Sequence, residues 1–118
     1  MILTKEAIFA VDDLPTEIVH VEEWGGDIKI KALTLKQRNH AYSLATRNGQ
    51  LDSSRASALM FCYGVVEPQF SDIDADELLK KSVGVIDRVN GRILALSGLT
   101  KETADEIGKN SESAPTDS

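Results

Sequence analysis

The chain has 118 residues, 42% of them apolar and 27% charged, which supports one modest hydrophobic core with tails but not two independent cores. Its formal net charge of −6 repels phosphate backbones and anionic lipid, which disfavours nucleic acid and membrane partners, and no apolar run approaches the roughly 18 residues of a membrane span. One cysteine, Cys62, excludes an intramolecular disulfide; its apolar neighbours and an N-terminus charged where a signal peptide needs apolar residues point to the cytoplasm.

In chain order, Thr4 followed by Ala7, Ile8 and Val11 predicts a short helix capped by a hydroxyl, ending before Asp12-Asp13-Leu14-Pro15. From Thr16 the apolar pattern takes period two, and Trp24-Gly25-Gly26 separates it from Asp27 to Ala32. A β-hairpin is expected, its turn supplied with positive φ by Gly25-Gly26, with Ile28, Ile30 and Ala32 facing a core and Lys29 and Lys31 facing water. No other β element is expected.

Thr34 and Gln37 form a capping box, so a second helix should run through Ala41, Leu44 and Ala45 to Arg47, closed by Asn48-Gly49 as a left-handed C-cap. After the loop Gln50-Leu51-Asp52, either Asp52 or Ser53 caps a helix that is apolar on nearly every side. This helix is expected to be the central core element, to include Val65 and Val66, and to be ended by Pro68. Ser71 and Asp74 repeat the capping pattern and open a short acidic helix through Leu78 and Leu79.

Between Ser82 and Ser97 two patterns compete. Asn90-Gly91 is a hairpin signal, whereas Ile86, Val89, Ile93 and Leu96, with Val83 extending them, share one helical face; spacing favours the helix. Gly98 suits its C-cap, and Thr100 would cap a last short helix through Ala104 and Ile107. Residues 109–118 contain no large apolar side chain and should be disordered. The expected architecture is therefore α+β: a predominantly helical single domain over residues 1–108, with one N-terminal β-hairpin and a disordered tail.

No chemistry-bearing constellation emerges. His20 and His40 have no metal-ligand neighbours at suitable spacing, and Cys62 has no histidine on its own element. Asp72, Asp74, Asp76 and Glu77 lack the glycine and terminal glutamate of a calcium loop, and they complement a helix N-terminus without any ion. No catalytic, cofactor-binding or metal-binding residue is expected. Trp24 is the singular residue. At a hairpin tip it either folds back on the core or stands out as an anchor, and Trp24, Gly25 and Gly26 are the candidate protein-binding residues.

The succession Leu3-Thr4-Lys5-Glu6, Val21-Glu22-Glu23-Trp24-Gly25-Gly26, Ile28-Lys29-Ile30, Leu33-Thr34, Phe70-Ser71-Asp72, the Ser82 helix and Leu96-Ser97-Gly98-Leu99 resembles the tail assembly chaperones of long-tailed phages and prophages. The resemblance extends to about Asn110. It implies a non-catalytic protein absent from the finished virion that coats the tape measure protein, recruits tail tube subunits and self-associates as a homo-oligomer. Many members also have a longer form made by a minus-one ribosomal frameshift. Lys109-Asn110 written AAA-AAC after a Gly108 codon ending in A would supply such a slip site. A structural adaptor or tail-completion protein retained in the virion is the alternative expectation.

Overall fold

A computed structural model describes residues 1–99 of the chain. Helix α1 (Lys5–Ala10) starts where the Thr4 hydroxyl accepts the Ala7 amide at 3.1 Å, and the backbone returns to extended geometry at Val11. Strands β1 (Thr16–Val21) and β2 (Gly26–Lys31) form the expected antiparallel hairpin, with Thr16 opposite Lys31 and Val21 opposite Gly26. Period-two alternation puts Val21, Ile28 and Ile30 in the core, with Val19 packed against it, and turns Ile18 and His20 to water. Ala32 is buried just beyond the strand. The connection is one 3₁₀ turn, Glu22–Trp24. Only Gly25 of the glycine pair needs positive φ (74°), while Gly26 already belongs to β2.

Helix α2 (Leu35–Ala45) begins with both bonds of the Thr34–Gln37 capping box at 3.0 Å. It stops two residues earlier than expected. Thr46–Arg47 and Gln50–Leu51 pair as β3 and β4, and Asn48 (φ 54°) and Gly49 (φ 78°) are both left-handed, as a two-residue type I′ loop requires. Asn-Gly is therefore a hairpin turn here and not a helix C-cap. The same tolerance of left-handed backbone serves either use, and the pairing of Thr46 with Leu51 decides between them.

Helix α3 (Ser53–Gly64) is capped by Asp52, whose carboxylate accepts the Arg55 amide at 3.2 Å. It is the central element: seven of its residues are buried, Leu59 and Phe61 completely. It ends at Gly64, short of the expected Val66. Val65–Glu67 instead forms β5, antiparallel to β2 with Val65 opposite Ile30 and Glu67 opposite Lys29, completing a three-stranded sheet in the order β1-β2-β5. The expectation of a lone hairpin fails because β2 offers an open edge to a β-branched pair, and that edge exists only once the chain has folded.

Ser71 caps a 3₁₀ turn that leads into α4 (Ala75–Leu78), with its amide donating to the Asp74 carboxylate at 2.8 Å. Helix α5 (Val83–Leu96) is continuous through Asn90-Gly91, so the helical period prevails over the hairpin signal. Val85, Ile86, Val89 and Ile93 are buried along its inner face, whereas Val83, expected to extend that face, is three-quarters exposed at the first turn. Asn90, also buried, donates from its amide to the Ser57 carbonyl on α3 at 3.0 Å.

The end of α5 follows the Schellman pattern. Leu99 N–H donates to the Leu94 carbonyl at 2.8 Å, Gly98 N–H donates to that of Ala95, and Gly98 takes φ 76°. Leu99 then packs on Met60 and Leu94. The expected Thr100–Ile107 helix and the 109–118 tail lie outside the described residues.

Candidate functional site

Two arginine forks tie the hairpin to α5, one at its tip through Glu23 and one near its open end through Glu17. Arg88 donates from both terminal nitrogens to the Glu23 carboxylate (2.9 and 2.7 Å), and Arg92 donates to both oxygens of Glu17 (2.8 and 2.6 Å). The two arginines stand four residues apart, on one helical face, which matches their spacing to the hairpin. The Arg88 fork, followed by Glu23's own backbone amide, holds the Glu23 carboxyl down at about 2; Arg92 lowers that of Glu17 in the same way.

The Trp24 ring meets Phe61 of α3 edge to face with centres 5.9 Å apart; Phe61 meets Phe70 in the same manner at 5.5 Å. Trp24 thus folds back toward the core and still leaves 38% of its surface in water. Gly25 and Gly26 extend the tip, with open space where a side chain would stand on either. The three candidate protein-binding residues form one small surface, half aromatic and half bare backbone.

A second surface was not legible from the sequence. No residue of α1 is buried, and Ile2, Leu3, Ile8, Phe9 and Val11 are each more than half exposed. Every one of residues 1–13 is exposed, so the segment stands as an arm outside the core of the described residues. The sequence signal for it was the helix's length: six residues fall well below the ~12–15 needed for a stable isolated helix.

A third feature is an open groove of about 300 Å³ between α3, α4 and α5, lined by Ala58, Leu78, Leu79, Val83 and Ile86 and equally by the polar residues Ser53, Ser54, Ser57, Lys81 and Asp87.

The remaining polar groups are accounted for by local structure. His20 Nδ1 lies 2.7 Å from Asp27 Oδ1 across the hairpin. The Tyr63 hydroxyl donates to Asp72 at 2.6 Å beside His40, which stands 3.6 Å from the other carboxylate oxygen; burial and that bond raise the Tyr63 pKa. Arg55 donates to Asp76 at 2.9 Å. Cys62 is buried, and burial, reinforced by Asp74 and Asp72, pushes its thiol up to about 11, away from the thiolate that nucleophilic chemistry requires. Among the described residues no three His, Cys, Asp or Glu side chains gather into a metal-binding group, and no helix is long and apolar enough to cross a membrane.

These features define a small α+β domain whose surface offers apolar contact at the tip, the arm and the groove. Comparison of the chain with protein families, with curated proteins and with solved structures found no match.

Proposed function

We propose that this protein is a non-catalytic tail assembly chaperone of a phage or prophage, acting in the bacterial cytoplasm. It would bind the tape measure protein, keep its long apolar helices soluble, and recruit tail tube subunits during tail assembly. The observation that carries this reading is apolar surface in separate places on a chain whose core is already closed: Trp24 at the hairpin tip, and the bare arm ending at Val11. A protein that must hold a client while keeping company with other subunits needs more than one such surface. The acidic surface supports the reading by keeping this apolar display soluble and by repelling nucleic acid and anionic membrane.

The test is co-expression with the product of the longest neighbouring reading frame, tagged for purification. Co-purification that Trp24→Ala weakens several-fold supports the assignment, because an aromatic anchor concentrates binding energy. Recovery of this protein in purified virions would instead identify it as an adaptor or completion protein retained in the particle.

A further inference from the structure

We propose that Arg88 is a positioning residue for the Trp24 anchor: its fork to Glu23 holds the hairpin tip so that Trp24 meets a partner already in place. That role rests on the reading of Trp24 as a protein-binding residue.

The backbone of the tip does little to fix it. The β1–β2 ladder ends at Val21 opposite Gly26, and the 3₁₀ turn between them closes with a bond from the Gly25 amide to the Glu22 carbonyl at 3.0 Å. Two glycines follow Trp24, each with open space around it, so the chain there can swing at little steric cost. Two consecutive tip residues are instead held from two different helices. Arg88 of α5 takes Glu23 at 2.9 and 2.7 Å, and Phe61 of α3 takes the Trp24 ring at 5.9 Å between centres. A planar guanidinium engaging both carboxylate oxygens fixes orientation as well as distance, which a single point charge would not. The helices are themselves held in register: buried Asn90, two residues beyond Arg88, donates to the Ser57 carbonyl, one turn before Phe61, at 3.0 Å. An aromatic ordered in advance spares a partner the entropy of ordering it on contact.

The second fork supplies the control. Arg92 makes the same bidentate contact to Glu17, from the same helix to the same hairpin, but Glu17 stands opposite Ile30 near the open end and away from Trp24. Forks that served stability alone would be interchangeable. Glu22 also acts on the Arg88 charge, so removing the arginine, not Glu23, is what releases the tip.

Trp24 is the one tryptophan of the chain, so its fluorescence in the free full-length protein reads the tip directly, with circular dichroism melting as the check on folding. Arg88→Ala is expected to red-shift the emission of the folded protein and to raise its quenching by acrylamide. Arg92→Ala should lower the melting temperature to a similar degree and leave both signals unchanged. Exchanging the partners, Arg88→Glu with Glu23→Arg, should restore the wild-type emission that Arg88→Glu alone loses. In co-purification with the product of the longest neighbouring reading frame, Arg88→Ala should reduce capture by roughly two- to tenfold, the cost of ordering one side chain on binding, while Arg92→Ala retains it. Emission and quenching left at wild-type values by Arg88→Ala, equal changes from Arg92→Ala, or full capture by Arg88→Ala would overturn the proposal. A wild type that captures nothing, with Trp24 still released by Arg88→Ala, counts against the chaperone reading and leaves the positioning of Trp24 standing.

Discussion

Gly64, the last residue of α3, lies directly against Ile93 of α5: a Cβ built on Gly64 would stand 2.8 Å from both Cγ1 and Cγ2 of Ile93, which is itself fully buried. The absence of a side chain at Gly64 is what lets the two principal helices meet, and it explains a glycine where Ala would give better helix propensity.

Gly64→Ala is therefore expected to destabilise the protein. The propensity gain is at most about 1 kcal/mol. Overpacking a core whose neighbour has no room to move costs about 1–3 kcal/mol, and it wins. Urea denaturation measures the difference. Adding Ile93→Val to Gly64→Ala should recover part of the loss, so that the double variant is more stable than the sum of the two single effects. Strict additivity would mean the contact is relieved elsewhere.

Acid should loosen the hairpin from α5. Glu23 titrates near 2 in the folded protein because of the Arg88 fork, against an ordinary value of 4.5, so the folded state binds fewer protons than the unfolded one. The contribution is then fully present above about 4.5 and fades as pH falls toward 2. Melting temperatures across this window are expected to drop more steeply for wild type than for Glu23→Gln, which starts lower. Added salt should shrink the difference, because the pair is exposed. Parallel curves for the two proteins would show that the fork adds no stability.

Cys62 is expected to resist thiol reagents in the native protein at mildly alkaline pH and to react at once after unfolding, since its thiolate is disfavoured by burial and by Asp74 and Asp72. Labelling followed by mass spectrometry, with and without denaturant, measures this. Fast native labelling would mean that α3 opens locally around Cys62.

Two Asn-Gly pairs show where reading the sequence succeeded and where it did not. At Asn90-Gly91 the helical spacing of Ile86, Val89 and Ile93 outweighed the turn signal, because a periodic apolar face integrates information over many residues. At Asn48-Gly49 no such face extended past Ala45, and helix cap and hairpin turn call for the same left-handed backbone. Val65 and Val66 failed for a related reason: an apolar β-branched pair fits a helix or a strand equally well until a neighbour is specified. At the candidate site the aromatic tip was legible as a singular residue beside two glycines. Its contact with Phe61 and the forks from Arg88 and Arg92 were not, being 37, 65 and 75 residues distant in sequence, respectively.

The sequence by itself determined what depends on near neighbours: the Thr4, Thr34 and Ser82 caps, the period-two face of Ile28 and Ile30, and the period-3.6 face of α5. Tertiary structure alone decided what depends on which surfaces meet. It turned Val65–Glu67 into a third strand, set Trp24 half in and half out over Phe61, and left every residue of α1 exposed. Apolar periodicity states that a face will be covered, and only packing states whether the covering comes from the same chain.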